Sequence, residues 1–192
     1  MHMEKNLKLK VMPLVLAVVV IVLDQITKML VVNYIQPYTI GAQFFGDFIR
    51  IIHVYNTGVA FSVGAGWPDL ASRILFSIIP VLVLVLVMVV YFRNTDFTKL
   101  QRWAICGIVG GGFGNIIDRI FRSKGVIDFI DVKWFGIEKS PIGLFRMTRW
   151  PTFNVADSAV VVCGIMLLIS FAITISKESK SKKADKEAKG EK

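Results

Sequence analysis

The sequence predicts an α-helical polytopic membrane protein: one domain of four transmembrane helices with a small strand-bearing segment outside the bilayer. Three observations predict it. Of the 192 residues, 54% are hydrophobic, against about 45–50% in a soluble domain. Only 19% are charged, where about 25% is usual, and those charges crowd into a few segments. The apolar residues fall into runs that approach the roughly 20 residues needed to cross a bilayer. Together these exclude a disordered chain, a disulfide scaffold and an ordinary water-soluble enzyme.

The first span, about 11–32, is an apolar run from Val11 to Val32 interrupted by Asp24 and Lys28. A cleaved signal peptide is the rival reading. No small-residue cleavage site follows its apolar core, and the chain stays apolar beyond Lys28, so a retained anchor fits better. Segment 33–70 then carries FIRIIHVY (48–55), a β-branched and aromatic stretch that reads as a strand. It leads into Asn56-Thr57-Gly58, a turn signal. The second span, about 71–92, contains the uncharged run ILFSIIPVLVLVLVMVVYF. The third, about 101–120, is less apolar and ends at Asp118 and Arg119. Its Gly107, Gly110, Gly111, Gly112 and Gly114 contain two overlapping G-x-x-x-G patterns, which let helices approach closely in lipid. Segment 121–155 mixes Trp134, Phe135, Phe145 and Trp150 with basic residues, a composition that favours the membrane interface. The fourth span, about 156–176, opens at Asp157 and runs through SAVVVCGIMLLISFAITIS.

The short flanks set the orientation. Lys5, Lys8 and Lys10, then Arg93, Lys99 and Arg102, then the lysine tail belong on the cytoplasmic side. An even number of spans puts both termini there, with 33–70 and 121–155 outside. The second external segment breaks the rule with six bases, which suggests local work such as contact with lipid phosphates. Of the net charge of +9, a third is tail: seven of the 23 bases lie in residues 177–192 beside four acids. That segment reads as a disordered cytoplasmic extension and not as a nucleic-acid surface. Cys106 and Cys163 lie in apolar runs and build no disulfide framework. Two histidines are too few for a His-rich zinc site.

Ionisable residues in or beside spans are costly, so each is a functional candidate. Asp24 and Lys28, four apart, share one helical face and can simply neutralise each other. Asn115 and Asp118 share a spacing with Asn154 and Asp157. The second pair is also explained as a helix cap with an acid in the first turn. Capping does not explain why Asp118, Asp128 and Asp157 all reach one membrane face. No nucleophile elbow or H-E-x-x-H motif is present. Paired carboxylates remain, one holding a proton while the other activates water. A proton- or cation-relaying transporter and a non-catalytic assembly protein using the glycine face are the competing classes.

Five motifs lie in order over residues 20–160: VLDQITK (22–28), NTGVAFS (56–62), GNIIDR (114–119), VIDF (126–129) and FNVADS (153–158). On these the chain resembles the lipoprotein signal peptidases, the bacterial type II signal peptidase family. The resemblance implies an intramembrane aspartic endopeptidase of the bacterial inner membrane. Its substrate is a prolipoprotein, cleaved near the external face just before a cysteine already carrying diacylglycerol. It implies a catalytic dyad of Asp128 and Asp157. Asn56, Gly58, Asn115, Asp118, Arg119 and Asn154 are implied to support the site or contact substrate, with Asp24 and Lys28 structural behind them. An external β-cradle would occupy 33–69, while the 130–152 connection is longer than the family pattern. No metal or cofactor is implied, the partners are substrate and membrane lipid, and a monomer suffices.

Overall fold

A computed structural model of the chain describes residues 2–57, 69–133 and 148–188. A short helix α1 (His2–Val11) turns at Met12-Pro13 into α2 (Leu14–Tyr34). Two strands follow, β1 (Ile40–Phe44) and β2 (Ile49–Asn56), then α3 (Asp69–Arg93) and α4 (Lys99–Phe121). Strand β3 (Val126–Val132) and the long α5 (Val155–Ala188) complete the order.

Among the described residues, three helical stretches are long and apolar enough to cross a membrane: Leu7–Tyr34, Lys99–Phe121 and Val155–Ser181. A shorter apolar stretch, Ser77–Arg93, lies within α3. Their outer surfaces are unlike those of a soluble bundle. Val15, Val18, Leu82, Leu86, Leu168 and Ile169 are all more than half exposed, an apolar surface that water would not tolerate but lipid would. The polar groups are instead inside, where Asp24, Lys28 and Asp118 have no exposure at all.

Helix α4 is the hub, packing against α2, α3 and α5. Its start is fixed by a capping box. The Thr98 hydroxyl accepts from the Gln101 amide at 3.2 Å, and the Thr98 amide donates to the Gln101 side chain at 2.9 Å. Its glycines set the helix separations. A Cβ at Gly110 would lie 2.8 Å from the Ala17 backbone of α2, and one at Gly111 would collide with the Ala156 carbonyl of α5. The close packing expected of the G-x-x-x-G patterns is therefore present on two faces. Gly111→Val should lower stability in detergent by about 1–3 kcal/mol, the usual cost of overpacking. A thermal unfolding midpoint equal to that of the native chain would show that α4 and α5 are not in register contact there.

The three strands form one antiparallel sheet in the order β1-β2-β3. Tyr55 pairs with Ile127 and Val54 with Asp128, after a register shift that follows Ile51. One face of the sheet closes over the end of α2: Ile127 and Phe129 pack with Val31, and Ile35, Ile51 and Tyr55 flank them. The segment before α5 then runs alongside β3. Ile130 and Phe153 exchange backbone hydrogen bonds at 2.8 and 3.0 Å, and the Trp150 amide donates to the Val132 carbonyl at 2.8 Å. This pairing delivers the start of α5 to the side of β3.

Two features differ from expectation: the sheet is not confined to 33–69, since β3 joins it from the second external segment, and the last helix is longer. The last helix continues to Ala188, through most of the stretch whose charge pattern reads as a disordered tail. The physical reason lies in its residue types, since Lys, Glu and Ala are strong helix formers that extend a helix already nucleated by a span. The 134–147 part of the long external connection lies outside the described residues.

Candidate active site

The site is built where β3, α4 and the start of α5 meet. Asn154 and Asp157 form a reciprocal cap at the head of α5. The Asn154 side-chain oxygen accepts from the Asp157 amide at 2.9 Å, and an Asp157 oxygen accepts from the Asn154 amide at 3.1 Å. The capping explanation of this Asn-x-x-Asp pair is thus correct as far as it goes. It does not use the whole of either residue.

The Asn154 side-chain amide also reaches away from its helix. It donates to Asp128 Oδ1 at 2.7 Å and to Asn115 Oδ1 at 3.0 Å. Asn115 in turn donates to Asp157 Oδ1 at 2.7 Å. Asp128 therefore joins Asp157 through Asn154 alone, and again through Asn154 and Asn115. Asn56, at the end of β2, donates to the other Asp128 oxygen at 2.9 Å. Two carboxylates 29 positions apart in sequence, 128 and 157, are held by three asparagine amides from three elements.

Behind them lies a closed ionic cluster. Lys28 Nζ is 2.7 Å from Asp24 and 3.0 Å from Asp118, with both side chains and its own fully buried. It also donates to Asn115 Oδ1 at 3.0 Å, so Asn115 is shared between the cluster and the aspartate pair. Asp24 accepts the Ala156 amide at 3.0 Å, reaching across from α2 to satisfy a free N–H in the first turn of α5. Asp118 accepts from Arg122 at 2.9 Å and from the Ile127 amide at 3.2 Å, which ties α4 to β3. The Asp24–Lys28 pair is therefore more than self-neutralising.

Arg119 follows Asp118 on α4, within electrostatic reach of Asp128, Asp157 and Asp118. Asn56, Asn115, Asp118, Arg119 and Asn154 are all drawn to one place with the two aspartates, and Asp24 and Lys28 stand directly behind them. Gly58 lies outside the described residues. Gln25 is a member of the cluster that the sequence reading passed over. Its amide donates to Asp24 at 3.2 Å, to the Gly114 carbonyl at 3.0 Å and to Asp118 at 3.2 Å. A polar side chain beside Asp24 in an otherwise apolar run was the available signal.

Burial sets the chemistry of Asp128, which is 3% exposed. Removal from water pushes its carboxyl up to about 6, and the neighbouring Asp157 charge adds to the rise against the opposing Asn56 and Asn154 hydrogen bonds. A carboxyl there keeps a proton well above the usual range. No group of His, Cys, Asp and Glu suited to hold a metal ion occurs among the described residues. Among the described residues, Asp24, Lys28, Asp118, Asp128 and Asp157 gather in one cluster and form no path across the bundle, which gives the transporter reading no support.

The family model described as Signal peptidase (SPase) II matches residues 16–173. Among curated relatives, the lipoprotein signal peptidase of Treponema pallidum (strain Nichols) is 46% identical over 171 residues, 89% of this chain and 88% of that one. The lipoprotein signal peptidase of Treponema denticola is 48% identical over 171 residues, covering 89% of this chain and 94% of the other. That of Borrelia hermsii is 45% identical over 161 residues. A solved structure described as a bacterial membrane enzyme superposes with a TM-score of 0.68 at 25% identity, covering 83% of this chain and 92% of that one.

Proposed function

The chain belongs to the signal peptidase II family, and from that premise we propose that Asp128 and Asp157 are the catalytic pair with which it removes signal peptides from prolipoproteins. It is a bacterial membrane enzyme and an aspartic peptidase. The observation that carries the residue assignment is the shared amide framework: Asn154 and Asn115 hold two carboxylates from different elements in one site. In this reading α3 is also a span, making four in all, both termini are cytoplasmic, and the pair lies near the external face.

The acyl group on the substrate is a strong handle in such a site. Each methylene buried in lipid contributes about 0.8 kcal/mol, so a diacylated cysteine holds the scissile bond close to the interface. The signal helix lies beside the spans, and peptide and water enter between the two carboxyls. Asp128, whose proton is retained by burial, protonates the carbonyl oxygen. Asp157, positioned by Asn115 and by the head of α5, takes a proton from the attacking water. Arg119 supplies positive charge near the oxygen that becomes negative. Two such carboxyls titrate as a unit, and the reaction needs one proton on the pair.

The pH dependence follows. A carboxyl raised to about 6 is protonated below that pH and loses its proton above it, so kcat/KM should fall as pH rises through about 6. Asn56 donates to the ionised form, and Asn56→Leu should move this descending limb to higher pH. A limb unmoved in Asn56→Leu would remove Asp128 as the proton holder.

The founding test is cleavage of a diacylated prolipoprotein peptide by the purified protein in detergent. Cleavage before the lipid-bearing cysteine, unchanged by a chelator, is the expected result. No cleavage of the diacylated peptide, or cleavage abolished by chelation, would overturn the reading.

A further inference from the structure

On the outer surface of the bundle, α3 and α4 leave a groove of about 420 Å³ that runs from Phe113 to Arg93. Its walls are Val85, Met88 and Phe92 of α3 and Phe113 of α4, with Leu84 below and Arg93 at one end. It exists because Gly112 has no side chain. A Cβ there would lie 2.9 Å from the Leu84 methyls, so Leu84 sinks against α4 and opens the surface above it.

The two ends of the groove differ in chemistry. The Arg93 side chain is exposed and makes no hydrogen bond or ion pair among the described residues. Lys10 joins it, half-buried and donating through Nζ to the Phe92 carbonyl at 2.6 Å. The nearest acid in sequence is Asp96, whose carboxylate accepts from the Thr95 hydroxyl at 3.1 Å. Everything beyond Phe92 is hydrocarbon. Among the described residues no carboxylate pairs with Arg93 or Lys10, and a cationic mouth above an apolar slot matches an anionic headgroup on an acyl chain.

Charge disfavours a signal helix as occupant. A signal helix would bring its positively charged start towards Arg93 and Lys10, which repel it. We propose that this groove binds an anionic phospholipid, one acyl chain along Leu84 and Met88 and its phosphate on Arg93 and Lys10. The site is separate from the aspartate pair and rests only on the chain's place in the membrane.

The test is native mass spectrometry of the full chain in detergent with equimolar phosphatidylglycerol and phosphatidylethanolamine. The expected result is one retained phosphatidylglycerol, favoured about tenfold. Arg93→Gln should erase that preference, and Val85→Trp, which fills the slot, should erase retention, both at the native unfolding temperature in lipid-free detergent. Equal retention of the two lipids by the native chain would overturn the proposal. So would an undiminished preference in Arg93→Gln, undiminished retention in Val85→Trp, or a dimer mass that Val85→Trp abolishes, which would make the occupant a second copy.

Discussion

Asp157→Asn should leave a folded protein whose turnover of a diacylated prolipoprotein peptide falls by roughly 10³-fold or more, since a positioned acid or base contributes about 10²–10⁴. Asp128→Asn should fall as far, because either change removes the proton exchange that the pair performs together, and such effects do not add. The two variants differ in what they do to the structure. At 157 both oxygens receive donors, from Asn115 at 2.7 Å and from the Asn154 amide at 3.1 Å. An amide there offers one acceptor and turns an N–H towards the other donor, so about 1 kcal/mol of capping goes with it. At 128 the donors are the side chains of Asn56 and Asn154, and Asn56 can turn its oxygen to face the new amide. Asp128→Asn is therefore the cleaner variant, and circular dichroism with thermal unfolding should separate loss of chemistry from loss of fold. Asp131→Asn is the matched control. Its carboxylate accepts both bonds from Arg149 Nε at 2.7 Å and points to the sheet's charged edge, so cleavage should persist. Near-native activity in either Asp128→Asn or Asp157→Asn would remove that residue from the pair.

How far these positions are legible in the sequence depends on where each carries its cost. Asp24, Asp118 and Asp157 stand out because charge in an apolar run is expensive, and the cost is visible without knowing the fold. What the charges touch is another matter. Asp24 accepts from Ala156, 132 residues away, and no local pattern reports a tertiary bond of that kind. Strand β3 is hidden for a different reason. Val126, Ile127, Asp128 and Phe129 are all buried, so both faces are covered and the alternation that marks a half-exposed strand is absent. FIRIIHVY is readable as β2 from its β-branched and aromatic content, even though its pairing breaks register after Ile51. Asn154 shows how a correct local reading can be incomplete. Its cap is local, and the side-chain bonds to Asp128 and Asn115 use the donors that capping leaves free.

Lys28→Met should be the most destabilising single change behind the pair. Lys28 has no exposure and lies between Asp24 at 2.7 Å and Asp118 at 3.0 Å. Removing it leaves two buried carboxylates around an apolar side chain, and breaking a buried pair in this way costs about 3–5 kcal/mol. Asp118 keeps Arg122 and the Ile127 amide, so Asp24 bears most of the loss. For a chain of this length that corresponds to a fall of about 6–20 °C in the unfolding midpoint. Activity should fall as well, because Asn115 loses one of the two donors to its oxygen and with it the restraint that aims its amide at Asp157. The partner variant separates the causes. Asp24→Asn keeps an oxygen for the Ala156 amide while removing the uncompensated charge, so Lys28→Met combined with Asp24→Asn should recover much of the lost stability. It should not recover full activity, since nothing in that pair of changes restores the bond from Lys28 to Asn115. A single Lys28→Met variant that unfolds within about 2 °C of the native chain would mean that the cluster does not anchor the site. Equal recovery of stability and turnover in the double variant would mean that Lys28 acts on the aspartates only through stability, with no part in aiming Asn115.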